Sequence, residues 1–224
     1  MTRKILFTFM ALLACLWPLT TAAEVTPETV ISQVQGLYDK AGGFQARFRQ
    51  ESRLKASGTS DSAAGWMYFM KPVRMRWQYE TPPEQKKEII SDGRLVWMYM
   101  PADGVVMVYK LDKVLRSDLV LRFFSGIALV QKDFNISWQR PPREGANYVV
   151  DLFPKKDQPE LKRLTLTINP NTYLVEKLDF SNALGEESRF TFTQVKLGVS
   201  PLGPAFFSFT PPPGVQVIRE TPGS

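Results

Sequence analysis

The side chains that most often carry chemistry are scarce in this sequence, and the carboxylates that remain sit where turns are expected. The 224 residues contain no histidine. This removes the commonest general base, the commonest metal ligand and every Ser-His-Asp triad. The one cysteine, Cys15, lies in an apolar N-terminal run. Thiol catalysis and cysteine-based zinc sites therefore have no basis in the rest of the chain. Glycines stand singly apart from Gly42-Gly43, and none forms a phosphate-cradling loop. Paired carboxylates of the glycosidase kind are the catalytic chemistry left to weigh. Asp92 and Asp103 precede Gly93 and Gly104, and Glu186-Glu187 falls in another turn pattern. Tight turns select Asp-Gly, so these acids read as solvated turn formers. The expectation is a non-enzymatic protein with no catalytic residue, no metal and no cofactor.

The N-terminus reads as an export signal. Arg3 and Lys4 precede an apolar run from Ile5 to Leu19, and Thr20-Thr21-Ala22-Ala23 supplies small residues. Basic, apolar and small-residue regions in that order make a secretory signal peptide. The run is shorter than the roughly 20 residues a spanning helix needs. Cleavage after Ala23 is expected, leaving residues 24–224 as one domain. Leu12-Leu13-Ala14-Cys15 also fits a lipobox, in which Cys15 would be acylated. The apolar run continues past it through Leu16-Trp17-Pro18-Leu19, which favours the later cleavage. Removal of 1–23 takes Arg3 and Lys4 from 28 basic residues and none of the 22 acidic ones. The remainder is mildly basic with no dense Lys/Arg block, so nucleic-acid binding has no support.

Two helical stretches and a long run of strands organise the rest. Thr26 caps and Pro27 opens a helix whose stripe is Val30, Ile31, Val34, Leu37, Tyr38 and Ala41, stopped by Gly42-Gly43. From Phe44 the period becomes two. Residues 66–70 are apolar on both faces, as in a doubly buried strand. Val73, Met75, Trp77 and Tyr79 then alternate with Arg74, Arg76, Gln78 and Glu80, and Leu95, Trp97 and Tyr99 share one face of a later strand. Between Asp112 and Val130 the period returns to helical, with Leu115, Leu119, Phe123, Phe124 and Ile127 as the stripe. Strands are then expected at 134–138, 148–153, 161–168, 173–180, 188–196 and 206–209. About ten strands joined by short turns predict one antiparallel sheet that must curl or split. The economical form is a curled barrel with two helices against its opening.

Trp66, Met67, Tyr68, Phe69, Met70, Met75, Trp77, Trp97, Met98, Tyr99 and Met100 crowd one stretch of strands. Two readings stand side by side. These residues fill a core, or they line a cavity in which polarisable methionines accept alkyl chains of varied length. The periodicity of the helices does not separate a lid from a core cover.

The motifs from 65 to 101 then form a familiar series. A Gly65-opened aromatic strand leads to Lys71-Pro72, Met75-Arg76-Trp77, a Pro82 turn, Ser91-Asp92-Gly93, Trp97-Met98-Tyr99 and Pro101. Phe207-Ser208-Phe209-Thr210-Pro211-Pro212-Pro213-Gly214-Val215 closes the chain. In order and spacing this resembles the LolA family of periplasmic outer-membrane lipoprotein carriers, over essentially all of 24–224. The resemblance implies an unclosed antiparallel barrel with helices forming a lid over a hydrophobic cavity. It implies a monomer that takes acylated lipoproteins from an inner-membrane lipoprotein-releasing transporter to an outer-membrane receptor. Each shielded methylene is worth roughly 0.8 kcal/mol, so unshielded cargo would aggregate.

Trp66, Tyr68, Met75, Trp77, Leu95, Trp97, Tyr99, Leu119 and Phe123 are the expected acyl-contacting residues. Family members carry an arginine before the motif proline that latches the lid onto helix carbonyls. Lys71 occupies that position here, and is the expected latch. The alternatives are a carrier of other lipids or a lipid sensor on the same fold. If Cys15 is acylated, a membrane-anchored acceptor is a further one.

Overall fold

In the computed structural model of this protein, the residues described are 24–54, 57–117, 130–159, 161–198 and 202–219. Helix α1 spans Pro27–Ala41. Thr26 has extended backbone and its hydroxyl accepts from the Thr29 amide, 3.2 Å away, so one orphan donor of the first turn is met. Gly42 ends the helix with φ of 68°, a conformation glycine adopts without a Cβ penalty. Val30, Ile31 and Val34 are the buried stripe.

The described strands are β1 (Gly43–Leu54), β2 (Ser60–Met70), β3 (Arg74–Thr81), β4 (Lys87–Ser91), β5 (Leu95–Met100), β6 (Val105–Lys110), β7 (Phe134–Glu144), β8 (Asn147–Pro154), β9 (Arg163–Ile168), β10 (Val175–Ser181), β11 (Glu186–Leu197) and β12 (Gln216–Arg219). They form one sheet in the order β12-β6-β5-β4-β3-β2-β1-β11-β10-β9-β8-β7. All neighbours are antiparallel except β12, which runs parallel to β6. The margins, β12 and β7, do not pair, so the barrel is unclosed as expected. Short helices α2 (Leu111–Ser117) and α3 (Val130–Asp133) follow β6 and precede β7. The connection therefore leads from β6, beside one margin of the sheet, to β7 at the other.

The curl is visible in its side chains. Strands β3 and β11 are three steps apart in the sheet, which would be about 14 Å if it were flat. Yet the rings of Trp77 and Phe190 are 5.6 Å apart. The face they share is thus concave. The main core lies on it, with the α1 stripe packed in. Gly65 marks a tight point of the curl. A Cβ there would sit 1.8 Å from the Gln78 carbonyl oxygen, beside a register shift between β2 and β3.

Two expectations are corrected. The strand expected at 206–209 is a 3-10 turn over Pro204–Phe207; Pro204 and the run Pro211-Pro212-Pro213 restrict pairing there. The chain forms its last strand later, as β12, when Gln216 donates its amide to the Gly104 carbonyl at 2.9 Å. Residues 66–70 are not equivalent on their two faces. Met67 and Phe69 are buried, while Trp66 and Tyr68 are half-buried on the other side.

Candidate functional site

The concave face is built row by row from the strand registers. Ala46, Met67 and Trp77 face one another across β1, β2 and β3, and Phe69 pairs with Met75. Phe48 lies against Trp77, Tyr79 and Phe190 at ring distances of 5.6, 5.0 and 6.0 Å. Phe44 stacks on Phe69 at 5.2 Å and meets Tyr38 of α1 edge-on at 5.1 Å. Aromatic pairs at these separations favour offset and edge contacts. Strands β8 to β10 add Val150, Leu152, Leu164, Leu166 and Leu178, all fully buried.

Toward the β1–β2 hairpin the face becomes polar. Tyr79 donates its hydroxyl to Gln50 Oε1 at 3.0 Å, Gln50 Nε2 donates to Ser52 Oγ at 3.0 Å, and Ser52 and Ser188 share a bond of 2.9 Å. The face therefore grades from an apolar floor to a polar, part-exposed rim.

Burial against this floor shows in Tyr38. Removal from water pushes its phenol up to about 12, although the Val175 amide that donates to its oxygen pulls the other way.

The convex face carries a second, smaller apolar cluster. Ile90, Trp97, Val106 and Val108 are its buried members, with Leu95, Tyr99, Phe209 and Val215 packed on them. The C-terminal segment covers it. Phe209 lies 5.4 Å from Tyr99 and 6.4 Å from Trp97, and Phe206 meets Tyr68 edge-on at 4.9 Å. Arg76 fastens this cover. It forks onto Glu88 Oε2 at 2.6 and 3.0 Å, donates to the Phe206 carbonyl at 3.0 Å, and lies over the Phe206 ring at 5.0 Å. Arg76 faced outward in the strand alternation, but nothing in the local pattern pointed to a C-terminal segment as its partner.

The expected acyl contacts thus divide. Met75 and Trp77 lie on the concave floor, 3% and 8% exposed. Trp66, Tyr68, Leu95, Trp97 and Tyr99 do not; they lie on the opposite face. The registers give the reason. Ser91 pairs with both Met75 and Val96, so Val96 and Met98 share the face of Met75, and Leu95, Trp97 and Tyr99 do not. A one-residue change in register would reverse this. Leu119 and Phe123 lie outside the described residues. Phe44, Phe48, Met67, Phe69, Phe190 and Phe192 belong to the floor and were not among the expected contacts. Their alternation was readable, but not which way it faced.

Lys71 follows the last residue of β2. Its ammonium lies 2.7 Å from Asp39 Oδ1 of α1, and its amide donates to the Gly42 carbonyl at 2.9 Å. The expected partner of the side chain was a helix carbonyl; a carboxylate takes that place. An ammonium is a compact point charge that a single carboxylate oxygen satisfies.

Asp92 accepts from the amides of Arg94 and Leu95 at 2.7 and 2.9 Å, as a turn residue does. A groove of about 570 Å³ adjoins the polar rim: Ser52, Phe180 and Ser188 line it together with Arg53, Asp61, Asp179 and Arg189. Its charged walls offer an acyl chain little.

The family model described as outer membrane lipoprotein carrier protein LolA matches residues 39–210. An outer-membrane lipoprotein carrier protein of Pseudomonas paraeruginosa is 31% identical over 202 residues, covering 90% of this chain and 93% of that protein. One from Nitrosomonas europaea is 29% identical over 220 residues, covering 98% of this chain and all of that protein. Among solved structures, an uncharacterized conserved protein from Thermus thermophilus shares the fold with a TM-score of 0.55 at 12% identity, covering 85% of this chain and 99% of that one. An unclosed curled sheet, an apolar concave floor under α1 and these matches across most of the chain lead to one assignment: this chain belongs to the LolA family of outer-membrane lipoprotein carriers.

Proposed function

We propose that this protein is a periplasmic carrier that shields the acyl chains of lipoproteins against the concave face of its sheet. It takes them up from an inner-membrane transporter and delivers them to an outer-membrane receptor. Residues 1–23 serve as the cleaved signal peptide and 24–224 as the carrier domain. The observation that carries this reading is the continuous apolar floor from Phe44 to Phe190 on the concave face of a sheet whose margins do not pair, packed by the α1 stripe together with Leu111 and Val130 of the short helices.

Met75, Trp77, Met67 and Phe48 are the acyl-contacting residues on this reading, and the Lys71–Asp39 pair holds the helix over them. Cargo entry displaces α1 from the floor. Acyl burial then replaces the helix stripe, so the exchange is nearly balanced and release to a receptor stays accessible.

The test is recovery of the protein from its native periplasm, followed by mass spectrometry of the co-purifying apolar material and N-terminal sequencing. Acylated lipoproteins and a start at Glu24 are expected. Free glycolipid or phospholipid in their place would make it a carrier of other lipids. An acylated start at Cys15 would make it a membrane-anchored acceptor.

A further inference from the structure

One polar atom of the concave floor is left without a partner. Trp77 is 8% exposed, and its Nε1 has no hydrogen-bond acceptor among the described residues. Buried donors are nearly always bonded, and an exception calls for an explanation. A phenylalanine would make the same kind of ring contact with no orphaned N–H, though with a smaller ring.

The surroundings restrict what could meet it. Phe48, Phe69 and Phe190 put their rings within 6.4 Å of the indole. The neighbouring polar side chain on the same face of the strand, Tyr79, spends its hydroxyl proton on Gln50. An indole donates and does not accept. A water or alcohol that satisfied it would bring protons of its own into an apolar floor. The fitting ligand is an acceptor with no donor, carried on an otherwise apolar molecule.

Its place in the gradient narrows this further. Along the concave face Trp77 stands between the floor rows of Phe44, Phe69 and Met75 and the polar rim of Gln50, Ser52 and Ser188. An acyl chain lying along this gradient has its alkyl part on the floor, its head group at the rim and its carbonyl between. We infer that Trp77 Nε1 is the hydrogen-bond donor to an acyl ester carbonyl of the bound lipid. The inference rests on the carrier reading and adds to it an orientation, with tails toward Phe44 and head group toward Ser52. It also supplies a basis for selecting acyl over alkyl chains.

Two probes test it on the full mature chain: a peptide with a dipalmitoyl-glyceryl cysteine, and its dialkyl ether analogue, which has the same chains and no ester carbonyls. The wild type should bind the ester about fivefold more tightly, the value of one neutral hydrogen bond. Trp77→Phe should bind both probes alike, at the wild-type ether level. A preference that survives in Trp77→Phe overturns the inference, as does a wild type that binds both probes equally. Binding of neither probe overturns the carrier reading and this inference together. Should Trp77→Phe not fold, wild type with ¹⁵N-labelled indoles gives the same answer. The Trp77 Nε1–H proton should move downfield with the ester probe and not with the ether, and an identical response to both would refute the assignment.

Discussion

Lys71 and Asp39 join the end of β2 to the last turn of α1 through a contact of 2.7 Å between Nζ and Oδ1. Both side chains are about half exposed, at 44% and 52%. Exposed pairs contribute little to stability, about 0–1 kcal/mol, and salt screens them. The pair is therefore suited to biasing a helix position and unsuited to holding the fold together. Lys71→Leu should melt within a few degrees of wild type and release a bound acylated peptide up to about fivefold faster, the equivalent of 1 kcal/mol. Asp39→Asn should behave the same way, and the charge-reversed pair Asp39→Lys with Lys71→Asp should recover the wild-type rate. Stopped-flow transfer of a fluorescent lipopeptide to vesicles measures it. Unchanged rates in both single variants would leave α1 held by packing alone.

The two apolar faces should separate in function. Phe209 covers the convex cluster and is itself only partly buried, so Phe209→Ala should cost about 1–2 kcal/mol of stability. Acyl binding by the folded fraction should remain. Met75→Glu places a carboxylate on the concave floor, where an unpaired charge costs several kcal/mol. It should lower binding of a fluorescent fatty-acid analogue by an order of magnitude or more, under conditions where circular dichroism shows the variant folded. Loss of binding in Phe209→Ala with retention in Met75→Glu would place the acyl site on the wrong face.

Gly65→Ala should be more damaging than its chemistry suggests. The new methyl would meet the Gln78 carbonyl at 1.8 Å, and the next nearest atoms, Gln78 C and Tyr79 Cα, are backbone too and cannot rotate away. A loss of about 3 kcal/mol or more is expected, in the class of overpacked and strained sites. Urea denaturation reads it directly. Gly36→Ala is the control, since a Cβ there has open space around it; in mid-helix it should gain up to about 1 kcal/mol.

Tyr38 should make the fold sensitive to alkali. Its phenol titrates near 12 when folded, against 10.0 for an unperturbed tyrosine. The folded value is raised, so the folded state holds the proton more tightly. Stability is unaffected by this group below pH 10 and declines from pH 10 toward 12, by up to about 1.4 kcal/mol per pH unit. Subtracting the profile of Tyr38→Phe from that of wild type isolates it from other groups. Parallel profiles through pH 11 would mean the phenol is not held neutral.

Much of the architecture was readable in the sequence because it is local. Thr26-Pro27 and Gly42 bound α1 by capping chemistry that involves only neighbouring residues. Alternation in 73–80 and in 95–99 marked two strands, and Ser91-Asp92-Gly93 the turn between β4 and β5. The series from Gly65 to Pro101 carried the family. What the sequence could not decide was which alternating set faced inward. Within one strand, parity is a property of the chain. Between strands it depends on register, and the pairings of Ser91 with Met75 and Val96 turned Leu95, Trp97 and Tyr99 away from the floor that holds Met75 and Trp77. Long-range closure was equally invisible. Phe206 and Phe209 cover the convex cluster, and Arg76 fastens them across 130 residues of chain. Trp77 shows the limit most plainly. That it is an aromatic on a buried face could be read from its alternation; that its N–H has no acceptor among the described residues depends on the rings the curled sheet brings around it.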